Sequence, residues 1–210
     1  MTSKGDVILN HKKLGLVVTL VLAVAMTAVG ADTPTATPND AGKFTLQRPA
    51  DVRELVFLSS GHGMAYGPVA ERAKQAGGSP PFSNVFVTRE AYRSFMRSGK
   101  WPDGATFYLE VRAGVEHTTN GVSGGFQGEL LGLEAEQKDS ARYPDGGFAY
   151  FDFGPGGAAA KARPLPTTAA CYACHRQHGA VEHTFTQFYP AQFAIAKKMN
   201  TVRKDYDPNL

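Results

Sequence analysis

Apolar and polar residues alternate along 106–112: Phe107, Leu109 and Val111 fall on one side, Tyr108, Glu110 and Arg112 on the other. Period-2 alternation marks a strand with two unlike faces. Residues 126–136 repeat the pattern, with Leu131, Leu133 and Ala135 set against Gly132, Glu134 and Glu136. The aromatic run Phe-Ala-Tyr-Phe-Asp-Phe at 148–153 reads as another strand. Shorter apolar stretches at 52–58 and 84–87 add two more, the first broken by Ser59-Ser60-Gly61-His62-Gly63.

Between these strands the period changes. Residues 88–98 predict the clearest helix, with Ala91, Tyr92, Phe95 and Met96 on one face. Thr88 is placed to cap it, Glu90 suits the positive end of its dipole, and Gly99 stops it. A short helix is expected over 68–76, opened by Pro68 and closed by Gly77-Gly78. Another is expected over 175–183, and an amphipathic one over 191–203. Met96 and Met199 fall on apolar helical faces and read as core. Phe185, Phe188 and Tyr189 read as core or cofactor-edge packing. Pro102-Asp103-Gly104 and Pro144-Asp145-Gly146-Gly147 are turns, and 114–125 is polar and loop-like. The fold class that follows is α+β: a mainly antiparallel β-sheet with a few helices, not a helical bundle.

The N-terminal quarter has a different composition. Lys12 and Lys13 precede an apolar run over 14–29 that ends in Val29-Gly30-Ala31, a small-residue cleavage pattern. Residues 1–31 thus read as an export signal cut after Ala31, with an uncleaved membrane anchor as the alternative. Residues 32–49 are Thr/Pro-rich and read as a tether. Residues 50–210 have the size of one domain. The formal net charge of +3 comes partly from Lys4, Lys12 and Lys13 against Asp6, so the remainder carries only +1. No basic stripe suggests a nucleic-acid partner.

The two cysteines of the chain stand in Cys171-Tyr172-Ala173-Cys174-His175, a C-x-x-C-H run. That is the attachment signal for one covalent heme c. Two thiols three positions apart reach the two vinyl groups of one porphyrin, and the following His175 can supply the proximal nitrogen to iron. An exported chain is where such attachment occurs, so the signal and the motif support each other. Three other readings use the same residues. Zinc could take Cys171, Cys174 and two of His175, His178 and His183. A thioredoxin-like dithiol needs a βαβ setting, which the pattern lacks. A disulfide across two residues gains little.

The ordered set of Pro-Asp-Gly (102–104), Gly-Gly-Phe-Gln-Gly (124–128), Gly-Phe-Ala-Tyr-Phe-Asp-Phe-Gly (147–154), Cys-Tyr-Ala-Cys-His and Phe-Thr-Gln-Phe-Tyr-Pro (185–190) resembles the cytochrome P-460 family, which includes the cytochromes c′-beta. The resemblance covers roughly residues 50–190. It implies a homodimeric, sheet-rich periplasmic protein, with His175 below the iron and an open side above it. Members that oxidise hydroxylamine carry a lysine bonded to the porphyrin, on the strand after the Pro-Asp-Gly turn. The cytochromes c′-beta have an apolar side chain there and bind gases. In this chain residues 106–112 hold no lysine, and Leu109 falls at the cross-link position, with Phe107 and Val111 on its face.

The resulting expectation is a gas-binding heme protein taking nitric oxide or carbon monoxide, with Leu109, Phe107 and Phe82 as candidates to line the open side. Oxidation of hydroxylamine and simple electron transfer are the alternatives. His62, Met64, His117, His178 and His183 are candidate sixth ligands, each also readable as a surface or loop residue. Glu110, Glu129, Glu134 and Arg112 could serve a proton relay, or stand as exposed strand residues.

Overall fold

Five consecutive strands between Val56 and Pro155, hydrogen-bonded in sequence order, form an antiparallel meander that carries Leu109, Phe107 and Phe82. The structure is a computed structural model describing residues 36–38, 44–64, 79–119, 122–143 and 146–209. The chain divides into two units, Met1–Ala31 and Asp32–Leu210, and everything described belongs to the second. The export signal expected over 1–31 and the helix expected over 68–76 lie outside the described residues. Among those described, no helix is long and apolar enough to cross a membrane.

The strands are β1 (Ala36–Pro38), β2 (Phe44–Gln47), β3 (Val56–His62), β4 (Phe82–Val87), β5 (Thr106–Thr119), β6 (Val122–Lys138), β7 (Phe148–Pro155) and β8 (Lys161–Ala162). Among the described residues three α-helices accompany them: α1 (Arg89–Ser98), α2 (Ala170–His178) and α3 (Pro190–Lys198). The α+β class with a mainly antiparallel sheet is what the alternation predicts. β1, β2 and β8 make a second, three-stranded sheet. Two of those strands lie in the stretch whose composition reads as a tether; Leu46 accounts for β2, since it is fully buried in the core.

Register fixes which side chains share a face. One row across the main sheet is Phe86, Tyr108, Ala135 and Phe151, and these pack with Leu46, Val52 and Ala162 from outside it. The next row is Val87, Phe107, Glu136 and Tyr150, on the opposite face. Val87 and Phe107 pack there with Phe95 of α1, Trp101, Tyr189 and Ala196 of α3. Both faces are therefore covered, which overturns the expectation that one side of β5 meets solvent. Tyr108 is fully buried and Glu110 is 2% exposed. Glu110 tolerates burial because Arg53 and Arg112 reach it at 2.8 and 3.0 Å and Asn84 donates to it at 3.1 Å.

Several boundaries differ from the sequence pattern. A 3₁₀ turn occupies Val52–Glu54, and the strand runs on through the Ser-Ser-Gly break to His62, paired with β4 across a bulge between Phe57 and Ser59. The polar stretch at 114–125 is not a loop. Except for 120–121, outside the described residues, it pairs with itself to extend β5 and β6. α1 starts after Thr88, whose side chain makes no capping hydrogen bond, and ends at Gly99 in the left-handed region, φ 68°. Met199 is 41% exposed rather than core. Phe188 is likewise exposed, whereas Tyr189 is buried.

Candidate heme site

The Cys-x-x-Cys-His run lies wholly within α2, which begins at Ala170 and stops at His178, not at 183 as expected. Helix formation before the first cysteine places the run on adjoining faces of one rigid element. At 3.6 residues per turn, the order around the helix is Cys174, Cys171, His175, Tyr172. Tyr172 fixes the sheet-side edge. It is buried, its ring meets that of Tyr150 edge-on at 4.8 Å, and its hydroxyl donates to the Leu165 carbonyl at 3.1 Å. The two cysteines, free and half-buried, lie at the other edge.

His175 sits between these edges and is held on several sides. The Tyr150 and Phe185 rings lie 4.5 and 4.3 Å from its own. Its Nδ1–H donates to the His183 carbonyl at 2.9 Å. A Glu136 carboxylate oxygen stands 3.5 Å from the same nitrogen, close enough to act through its charge while the carbonyl takes the hydrogen bond. The proton on Nδ1 fixes the tautomer and leaves the Nε2 lone pair for a metal. Burial lowers the His175 pKa, but the charge of Glu136, with the His183 carbonyl and Glu134, outweighs it and shifts it upward. A field that favours a proton on this ring also favours a metal cation.

The His183 carbonyl is aimed by a tight turn. Val181 and Thr184 form a bridge, and Glu182 takes a left-handed φ of 55°. Lys138 pins Glu182 at 2.6 Å and also donates to the Trp101 carbonyl at 2.8 Å. From the C-terminal segment, Arg203 reaches the carbonyls of Arg176 and Gly179.

The thiols fit attachment to an organic group better than the competing chemistries. Burial pushes the Cys171 thiol up, with further push from the charge of Glu134, and burial pushes Cys174 up as well. A redox dithiol needs the reverse, a stabilised thiolate. Among the described residues, no group of three or more His, Cys, Asp and Glu side chains is arranged to hold a metal ion. His175 with its oriented Nε2, beside two protonated thiols on one helix, fits a heme. Those thiols would carry the vinyl groups and His175 the iron.

The other candidates separate. Leu109 lies in the row Val85, Leu109, Glu134, Asp152, next to the row that holds Glu136 and Tyr150. Its cross-strand neighbour Glu134 is within electrostatic reach of both His175 and Cys171. Desolvation first, and then the charge of Asp152, raise the Glu134 pKa against the opposing pull of His175. Phe107 shares this face but is 3% exposed, its ring edge-on to Trp101 at 4.6 Å, so it packs the core beside the site. Phe82 is not brought to this face at all. Alternation along β4 puts it with Asn84 and Phe86 on the other side, stacked on His62 at 4.5 Å. His62 goes with it. His183 lies over Phe148 at 5.1 Å and contributes its carbonyl. The His117 side chain lies outside the described residues.

Glu136 and Tyr150 escaped the sequence reading as site residues. Glu136 was visible only as a polar position two along from Glu134, and Tyr150 only as one of several strand aromatics.

A helical C-x-x-C-H run laid on one face of an antiparallel meander points to a cytochrome whose site is carried by a sheet, not by a helical bundle. Residues 51–186 match the family model for Cytochrome P460, and the chain belongs to that family. It is accordingly a heme-binding cytochrome, with iron as its metal. No curated protein matches the chain.

Proposed function

We propose that the chain is an exported c-type cytochrome that binds nitric oxide or a similar small gas on the side of its single heme opposite His175. Cys171 and Cys174 carry the thioether bonds and His175 the iron. Bound heme supplies a metal centre able to take a diatomic ligand. The observation that carries the reading is the oriented donor His175, taken together with an apolar Leu109 at the position where the family resemblance puts the lysine of an oxidase. Leu109 has no lone pair for iron, so the sixth position is left to small neutral ligands. Among the described residues His62 stands on the other face of the sheet, which supports a five-coordinate resting iron. Export to the periplasm after cleavage at Ala31, and assembly as a homodimer, complete the proposal; the first follows from the N-terminal pattern and the second from the family resemblance.

One observation favours oxidation of hydroxylamine instead. Glu134 stands directly across from Leu109, with Asp152 next in the row, so a carboxylate of raised pKa is available to accept a proton. The ferrous optical spectrum of the purified holoprotein, with peptide mapping of its heme peptide, decides between the readings. Gas binding expects a high-spin five-coordinate ferrous spectrum, rapid binding of nitric oxide and only two covalent links to the porphyrin. A lysine-linked heme peptide, or a low-spin ferrous spectrum without added ligand, would overturn it.

A further inference from the structure

We propose that Glu136 is a positioning residue for the axial bond: its buried carboxylate, beside the N–H of His175, makes that imidazole a stronger donor to iron than the His183 carbonyl alone would. The inference rests on the heme ligation proposed above and extends it to the electronic tuning of the iron.

Three observations converge. Glu136 is 7% exposed, and its neighbours along the row are Phe107 and Tyr150. A carboxylate is expensive in such a setting unless something uses its charge. One of its oxygens stands 3.5 Å from Nδ1 of His175, while the other is buried with no hydrogen-bond partner among the described residues. Full satisfaction has thus not decided where this group sits. Finally, the nearest basic side chain on the same face of β6, Lys138, is committed to Glu182 and to the Trp101 carbonyl, which leaves the Nδ1–H of His175 facing the Glu136 carboxylate. The fold has placed a negative charge against the back of one imidazole.

The consequence follows from second-shell chemistry. An acceptor on the far nitrogen of a ligating histidine orients the ring and raises its basicity. Here two acceptors face one N–H: a peptide dipole aimed by the Val181–Thr184 turn and a full carboxylate. The more basic ring stabilises the oxidised iron over the reduced, so the reduction potential falls, and it strengthens the iron–histidine bond. Because the carbonyl belongs to the backbone, Glu136 is the partner whose identity sets the strength of this effect.

The test uses the loaded holoprotein and two variants, Glu136→Gln and Glu136→Asp. The reduction potential is measured by spectroelectrochemistry, and the iron–histidine stretching frequency of the ferrous protein by resonance Raman. Glu136→Gln, which removes the charge at nearly constant volume, should raise the potential by a tenfold shift in the one-electron equilibrium, about 59 mV. It should also lower the stretching frequency. Glu136→Asp keeps the charge but withdraws it by one methylene, so it should move both quantities the same way and less far. Unchanged potential and frequency in Glu136→Gln at parental heme content would overturn the proposal. Should that variant fail to load heme, Glu136→Asp decides alone, and parental values there would be equally fatal. A parent protein holding no covalent heme would instead sink the ligation reading, before any variant is compared.

Discussion

Leu109 is the residue on which the two functional readings part. Its side chain is aliphatic, half-buried, and flanked across the sheet by Val85 and Glu134. If it stands over the iron, a larger side chain must slow ligand entry. Replacing Leu109 with Phe should reduce the nitric oxide association rate about tenfold, equivalent to roughly 1.4 kcal/mol on the barrier, as measured by stopped-flow absorbance. An unchanged rate in a high-spin protein would remove Leu109 from the ligand's path. The cysteines carry an equally direct expectation. Cys171→Ala with Cys174→Ala should yield a chain that gives up its heme to acidic acetone, whereas the parent retains one heme by intact mass. What the sequence made legible at this scale was chemistry written in side-chain type: two thiols and an imidazole in order. The His183 carbonyl left no such mark, because every residue has one and only the turn at Glu182 aims it. For Phe82 the aromatic character was readable, while its face of the sheet depended on the register of β4.

Secondary structure was legible where burial enforced a period and illegible where pairing alone did. Residues 106–112 alternate apolar with polar side chains and 148–153 form an aromatic run that the sheet buries, and both became strands. The 114–125 stretch has no apolar alternation, yet most of it extends β5 and β6 by backbone hydrogen bonds that any polar residue can make. Helix α2 was placed several residues too late, since Ala169 offers no side-chain cap to announce its start. The stop of α1 was read correctly from Gly99, and its geometry gives a prediction. At φ 68°, an added methyl group would meet the Thr201 hydroxyl oxygen at 2.7 Å and Met199 Cβ at 2.9 Å. Gly99 also links α1 to the C-terminal segment, its carbonyl accepting from Thr201 at 2.6 Å. Gly99→Ala should therefore cost about 1–3 kcal/mol of stability, combining left-handed strain with crowding. The midpoint of urea unfolding, followed by far-ultraviolet circular dichroism, reads this directly. An unshifted midpoint would mean that the end of α1 rearranges at no cost.

Across the whole molecule, the sheet is a wall with a different task on each side. One face carries α2, His175 and the acidic row of β6. The other carries an aromatic core and, beside it, a polar network centred on Glu110. Arg53 from the 3₁₀ turn, Arg112 from β5 and Asn84 from β4 all donate to that one carboxylate, and Asn84 bonds onward to Ser60 of β3 and Gln127 of β6. Four neighbouring strands are thus tied at a single charge. Burial alone would raise the Glu110 pKa, but the hydrogen bonds from Arg112, Arg53 and Asn84 outweigh it and hold it at about 2, against an ordinary value of 4.5. A carboxyl depressed on folding adds stability that is fully present above its unfolded value and is lost as pH falls through its folded one. The Glu110 contribution should therefore be whole at neutral pH, shrink below about 4.5 and be nearly gone at about 2. Glu110→Gln keeps the shape and removes the charge, so it should cost about 2–4 kcal/mol at pH 7, where two guanidinium groups lose their partner. The difference between parent and variant should then narrow as the solution is acidified. Urea titrations of both proteins at pH 7, 4 and 3 measure that difference. A constant gap across the series would show that Glu110 holds the strands by shape and not by charge.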